Sequence, residues 1–523
     1  MTTELRTEPT RADAPPGGGV RANPWWSLIA VAFGLFMVGL DGSVVAIANP
    51  AIGRDLGAST ADLQWVTNSY LLALAAALIL GGKLGDRFGR RTYSLVGVAG
   101  FTVASIAIGL SDSIAGVIAF RALQGFFGAL LMPNTLGILR AVFPPKKFGM
   151  AVGIWAMVSS VSTALGPIVG GLLVEHVGWE YVFFLNAPIG VLALVLSALV
   201  LPESKNSTGH HRFDLVGVVL LAVGLVVLVF GVVKGEAWGW ASGATIGTIL
   251  AGALIVIAFG WYESRQEHPL LPMRLFGNPA LTIGTIITAI NFFVLLGSIF
   301  YVMLYLQNVR GYSPVLAGVL TLPLSLASVV ASPLGAALTD RYGPRLTMPL
   351  GMVLQAAASF GLLFLGIDSS YGAMWPSFVA LGLGVGMVMA ASSEAIVGNA
   401  PVKDGGVAGG LQATALQIGG ALGTSVLVSL ISSRAAGAFG SSLTDAGVPA
   451  PLAQALRSAT DAVAMGIAPV APGMAADVRA AVVEASGTAF LTGLHSAALL
   501  TGVLCLVGAS VAALGIRRGA NTH

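Results

Sequence analysis

Apolar stretches of about twenty residues recur along the whole chain, separated by short polar segments, and each is long enough for one helical crossing of a bilayer. The pattern predicts fourteen helices, at about residues 25–48, 63–82, 92–110, 114–136, 150–173, 181–201, 214–233, 243–262, 280–305, 315–337, 347–366, 374–397, 406–432 and 488–515. Most connections are short. Segment 433–487 is the exception: it is rich in Ala, Pro and Ser, and its charges and prolines argue against a further span. It reads as a mobile, tolerated insertion, with a packed cap as the alternative. Residues 1–24 are polar and contain Pro15, Pro16 and three consecutive glycines, which predicts a disordered tail rather than a cleaved signal peptide.

Charges inside the apolar stretches carry the functional information. Asp41 interrupts the first stretch and Arg121 the fourth, each about four residues, or roughly 6 Å, from the centre of its helix. An ionised carboxylate in hydrocarbon is costly, so it faces a polar cavity or pairs with another polar group. If successive helices alternate in direction, both offsets point to the outer side, and the two charges define one buried site. Glu394 lies near the inner end of the twelfth stretch. It is a candidate proton carrier or a meeting point for a cationic substrate, against an interfacial carboxylate that reaches water. His495 reads as a packed polar side chain, and Cys505, the single cysteine, as a small buried one.

Composition agrees with a polytopic membrane protein: 9% of residues are charged and 56% apolar. The basic residues are spread over short loops, which argues against nucleic acid as a partner. With the N-terminus inside, the cytoplasmic segments hold nineteen of the 26 Lys and Arg, so the positive-inside rule places both termini in the cytoplasm of a multi-pass cell-membrane protein.

An internal repeat organises the chain. The segment from Gly81 to Arg91, with Gly82, Gly85, Asp86, Arg87, Gly89 and Arg90, follows the second helix; a second copy with Asp340 and Arg341 follows the tenth. The offset, 340 − 86 = 254 residues, is too long for six helices and suits eight. The expected organisation is therefore a tail (1–24), a six-helix half (25–201) and two inserted helices with linkers (202–279). A second six-helix half (280–515) includes segment 433–487, and a second tail (516–523) follows. Paired halves around a midplane cavity are common in secondary transporters.

The Gly81–Arg91 segment resembles the signature loop of the major facilitator superfamily, and Ala119-Phe120-Arg121-Ala122-Leu123-Gln124-Gly125 resembles its fourth-helix motif. Gly153, Gly166, Pro167, Gly170 and Gly171 resemble the fifth-helix motif of the antiporter branch, with Ser162 where that pattern usually has glycine. Leu40-Asp41-Gly42 through Asn49-Pro50 is similar to the first-helix motif of the drug:proton antiporters with fourteen spans. Trp179 and Phe183 to Pro188 agree with the same family, although Glu180 replaces the basic residue more usual there. The resemblance covers essentially all of 25–515. It implies an all-α membrane protein with the major facilitator fold, two six-helix halves and two additional inserted helices.

The resemblance further implies a monomeric exporter, not an enzyme, that exchanges protons for a hydrophobic or amphipathic drug or antibiotic and confers resistance. Its partners would be protons, the small molecule and membrane lipids, with no cofactor and no metal. Asp41, Arg121 and Glu394 are the proton-coupling candidates. The two copies of the repeat would form the gate, because carboxylates and guanidinium groups at neighbouring helix ends can lock one conformation and release another. Candidate cavity residues are Trp65, Tyr70, Gln124, Phe126, Asn291, Phe292, Phe293, Tyr301, Gln412 and Gln417. A proton-coupled nutrient symporter on the same fold and, more remotely, a membrane-embedded enzyme are the rival readings. No phosphate-binding loop of the Gly-x-x-x-x-Gly-Lys-Ser/Thr kind and no His-Glu-x-x-His cluster occurs in the sequence.

Overall fold

The computed structural model describes residues 23–204 and 214–516, apart from 59, 240, 268 and 472, and every regular element in it is helical. The six helices α1 to α6 are Pro24–Asp55, Thr60–Phe88, Arg90–Gly109, Ile114–Val142, Pro145–His176 and Asn186–Val200. A hairpin of α7 (Leu215–Trp238) and α8 (Gly243–Glu263) follows. The last six, α9 to α14, are Pro279–Leu304, Pro314–Tyr342, Pro344–Gly361, Tyr371–Ser393, Gly405–Asp445 and Ala476–Gly515. Among the described residues, thirteen segments are long and apolar enough to span a membrane. The fourteenth, α7, has 24 residues and a shorter apolar run, Val216–Val232.

Local chemistry sets the helix starts. Pro24, Pro145, Pro279, Pro314 and Pro344 open their helices, where the missing N–H costs nothing. Side chains of Asn23, Ser113, Asp214, Ser242, Asn278 and Ser313 accept a first-turn N–H. Gly89 and Gly343, again 254 residues apart (343 − 89), separate α2 from α3 and α10 from α11 in a single residue. Their φ values of +126° and +81° explain why both copies of the repeat carry glycine there.

The repeat is also one of packing. In the first six helices α4 packs on α2 and α3, α5 on α1, and α6 on α1 and α3. In the last six α12 packs on α10 and α11, α13 on α9, and α14 on α9 and α11. The halves meet where α2 and α4 touch α13 and where α5 touches α10, while α7 lies on both α2 and α13.

Closure is confined to the end of the bundle that carries Asp86. A Cβ placed on Gly82 would lie 2.5 Å from the carbonyl carbon of Gly406, and one on Gly409 2.7 Å from the carbonyl oxygen of Pro133. Residues Gly405 to Leu416 of α13 are all buried, whereas from Gln417 onward part of the helix is open. On α4, Phe120, Leu123 and Phe126 are exposed on one face, and burial becomes nearly complete from Gly128 to Leu139. The halves thus enclose a wedge whose wide end points away from Asp86.

Segment 433–487 departs from the mobile insertion expected of it. Helices α13 and α14 have 41 and 40 residues, about 60 Å at the helical rise and roughly twice the thickness of the hydrocarbon. Both continue past the membrane, and the short helices Ala450–Leu456 and Thr460–Ala464 join them. Phe439, Leu443, Val448, Val463, Val482 and Ala485 form a separate apolar core there. Asn308 Nδ2, on the link between α9 and α10, donates to the carbonyl of Met465 at 2.6 Å and ties this cap to the bundle. A helix that outruns the bilayer changes from lipid-facing to water-facing composition without a break signal, so hydropathy ended each one too early. Phe439→Ala is expected to remove about 3–5 kcal/mol of local packing. Limited proteolysis should then cut between 446 and 475 while the membrane bundle stays intact; an unchanged digestion pattern contradicts the packed cap.

Candidate functional site

The two intramembrane charges of opposite sign meet. Asp41 on α1 is fully buried, and its Oδ2 accepts from Arg121 Nη1 on α4 at 2.7 Å. Its Oδ1 accepts from Gln124 Nε2 at 3.0 Å and Asn186 Nδ2 at 2.9 Å. Arg121 also donates from Nη1 to Gln124 Oε1 at 2.6 Å and from Nε to the Val66 carbonyl at 3.2 Å, with its guanidinium 4.2 Å from the centre of the Tyr70 ring. Asn186 in turn donates to Ser105 Oγ at 2.8 Å, which donates to the Phe183 carbonyl at 2.9 Å. Five helices therefore share one network, in which three donors from three different side chains meet a single carboxylate. Such a charge pair is tolerated in a low dielectric only with this degree of saturation.

Open space begins one residue away. Gly42 is exposed, and nothing lies within 4 Å of where a Cβ would stand. The fifth-helix glycines hold α1 in place: Cβ atoms on Gly166 and Gly170 would approach Ser43 Cβ to 2.7 Å and Val44 Cγ2 to 2.5 Å. Gly153 faces Ser332, Pro333 and Ala336 of α10 across the seam, whereas Gly171 has no neighbour within 4 Å and makes no close contact. Helix α5 runs unbroken through Pro167.

The second cluster is a latch between the halves. Asp86 is buried at the end of α2 and accepts the N–H groups of Gly406 and Val407, each at 2.9 Å, in the first turn of α13. Those donors have no partner within their own helix, and the positive end of the helix dipole favours the carboxylate. Arg90 pairs with Asp86 at 2.6 Å and donates to the carbonyls of Gly137 and Val402, so one guanidinium joins α2, α4 and the segment leading into α13. Gly85 packs against Asn134, and Arg87 lies 5.0 Å from the centre of the Phe88 ring. The second copy is looser. Asp340 is exposed and sits against Gly149 near the start of α5, Arg341 lies 5.2 Å from the Tyr342 ring centre, and Pro344 stands 254 residues after Arg90.

Glu394 does not join Asp41. It lies in a π turn, Glu394–Gly398, at the Asp86 end, near Arg140, whose Nη2 donates to the Gly398 carbonyl at 2.8 Å. Among the cavity candidates, Phe126, Phe292, Phe293 and Gln417 keep partly open surface. Trp65 is likewise partly open, and the rest are placed elsewhere. Tyr70 and Gln124 belong to the Asp41 network, and Trp65 stacks on Phe230 of α7 at 6.0 Å. Asn291 is buried against Gln355, Tyr301 against Ser298, and Gln412 against Ser393, because each turns into its own half. The residues missed were Asn186 and Ser105. Asn186 opens an apolar helix and could have been found as an amide with no need to be there; an isolated serine in a membrane helix gives no such signal.

The profile of the Major Facilitator Superfamily matches residues 31–424. The chain is 46% identical to the tetracenomycin C resistance and export protein of Streptomyces glaucescens over 98% of this chain and 95% of that one. It is 33% identical to the multidrug efflux pump LfrA of Mycolicibacterium smegmatis over 99% and 100% of the two chains. The solved structure of the proton:xylose symporter XylE superposes with a TM-score of 0.62 at 14% identity, covering 93% and 94% of the chains, which shows the shared fold. The chain belongs to the Major Facilitator Superfamily and is a multi-pass membrane protein.

Two outcomes test this geometry. Arg121→Ala leaves the Asp41 charge buried and unpaired, at a cost of about 3–5 kcal/mol. Combining it with Asp41→Asn should cost less than the sum of the two single changes in thermal unfolding of purified protein; simple additivity would deny the pair. Gly82→Val pushes methyl groups into the Gly406 backbone and should hold the Asp86 end open. A cysteine introduced at Ala408, fully buried in the seam, should then react with a water-soluble thiol reagent in a Cys505→Ala background, and unchanged protection contradicts the latch.

Proposed function

We propose that this protein is a proton-coupled antiporter that exports hydrophobic or amphipathic drugs or antibiotics across the cell membrane and so confers resistance. The observation that supports it most is the Asp41–Arg121 pair, sealed within the first half yet one residue from the open end of the cleft. The positive-inside distribution of Lys and Arg supports cytoplasmic termini, which makes the Asp86 end the inner one and the described conformation outward-facing.

In this conformation a proton enters from the outside. Ionised Asp41 holds three donors from Arg121, Gln124 and Asn186; once protonated, it loses its charge and its strongest reason to bind Arg121. Helices α1 and α4 are then released from one another. Because α1 lies on α5 through Gly166 and Gly170, and α5 meets α10 across the seam, the movement reaches the interface between the halves. Opening of the inner end breaks the Asp86 cap on α13, admits substrate from the cytoplasm and lets Asp41 discharge its proton there. An arginine stays charged throughout, so Arg121 resets the site by recapturing the ionised carboxylate. A proton driven by 100 mV contributes about 2.3 kcal/mol per cycle.

The substrate class follows from the cleft. Phe126, Phe292 and Phe293 offer large adaptable apolar faces, and Gln417 a single amide. The resistance and export protein named above, related along nearly its whole length, supports the outward direction. The domain boundaries expected from the repeat, a monomeric state and a surrounding of lipid complete this reading. Everted membrane vesicles provide the test. An imposed pH gradient should drive uptake of a fluorescent drug by wild type, and Asp41→Asn should abolish that uptake while binding the same drug. Gradient-driven uptake preserved in Asp41→Asn would remove Asp41 from the coupling step.

A further inference from the structure

The inserted hairpin carries a second buried acidic site, remote from Asp41. Glu263, the last residue of α8, is 1% exposed. Its Oε2 accepts the Leu271 N–H at 3.1 Å, and its Oε1 is buried without a hydrogen-bond partner. Asp214 caps α7, its Oδ1 accepting from Gly217 N at 2.8 Å and from the Tyr262 hydroxyl at 3.1 Å, and its Oδ2 is likewise buried and unsatisfied. The two free oxygens converge. A Cβ built on Gly217 would have Glu263 Oε1 and Asp214 Oδ2 as its nearest neighbours, the latter at 2.6 Å, and the two carboxyl groups are within hydrogen-bonding reach.

Two facing acceptor oxygens with no donor between them are a contradiction that one proton resolves. Like charges this close in an apolar setting do not both ionise, and a carboxyl–carboxylate pair shares a proton instead. Among the described residues, Lys83 of α2 is a cation that acts on Glu263, but its ammonium donates to the Pro269 carbonyl at 2.6 Å and does not bond either free oxygen. Among the described residues, Tyr262 is a titratable neighbour in contact, and Arg265 stacks on Trp261. Asp404, Asp86 and Arg87 also act on the Lys83 charge.

We infer that Asp214 and Glu263 form a proton-binding site that holds one proton between Asp214 Oδ2 and Glu263 Oε1, separate from the Asp41 site. The shared proton ties the first turn of α7 to the last residue of α8. Glu263 simultaneously fixes the 264–272 linker through the Leu271 N–H, and Lys83 grips that linker through Pro269 one turn before Asp86. Occupancy of the hairpin site therefore holds the linker on α2 beside the latch. When the proton leaves, the two anions repel, the linker loosens, and the latch loses a lateral support. This makes the inserted hairpin a sensor of the proton concentration at the Asp86 end.

The test is infrared difference spectroscopy of full-length protein in nanodiscs, without substrate, in an Asp41→Asn background so that the result does not depend on the coupling role given to Asp41. Subtracting the spectrum of Glu263→Gln should reveal the carbonyl stretch of one protonated carboxyl group, which disappears as pH is raised. Asp214→Asn should remove the same band, because its amide N–H satisfies Glu263 and leaves it ionised. Both amides keep the hydrogen bond across the pair, so circular dichroism and the melting temperature should stay near the parent values. A difference spectrum without that band in a folded variant overturns the site. So does a carboxyl signal that answers to sodium or potassium at fixed pH rather than to pH.

Discussion

One carboxylate that cannot be hydrated organises the first half of this protein. Asp41 is fully buried, so its charge must be met by groups the bundle itself supplies. Those groups come from α4 and α6, with Val66 and Tyr70 of α2 and Ser105 of α3 holding them. No single helix could provide this set, and the small residues along α5 let α1 come close enough to complete it. Ordinary membrane helices associate largely through close packing, with modest polar contributions. Here a charge contributes as well.

The latch applies the same chemistry at a helix end. Asp86 satisfies orphan donors of a helix from the opposite half, and Arg90 bridges three segments behind it. Its strength comes from charge and dipole, and its geometry depends on Gly82 and Gly406 bringing two backbones into contact. The second copy kept the Asp-Arg-aromatic-Gly core but carries Pro344 in place of the second arginine, and its aspartate lies exposed. Two segments of common pattern thus close the seam unequally.

Asp41 and Arg121 were legible because hydropathy makes a charge in an apolar stretch conspicuous, and their depth predicted that they would meet. The aromatic and amide candidates were less legible. A helix presents every residue type all round, and only packing decides which face looks into a cleft. Asn291 and Gln412 turned inward to polar partners on neighbouring helices and Tyr301 to Ser298 on its own helix, whereas Phe126 kept an open face. The cap escaped because α13 and α14 cross from lipid into water without a stop signal, and its core is assembled from residues spread between Phe439 and Ala489.

Helix number, the repeat, the family and the intramembrane charges are properties of composition and spacing, since lipid imposes a fixed length and excludes unpaired charge. Partner choice is different in kind. Which amide turns to Asp41, which half owns each tyrosine, and how Asp214 and Glu263 come to face one another follow from contacts between residues far apart in the chain. A one-dimensional pattern records the cost of burying a polar group, and the folded bundle alone decides what satisfies it.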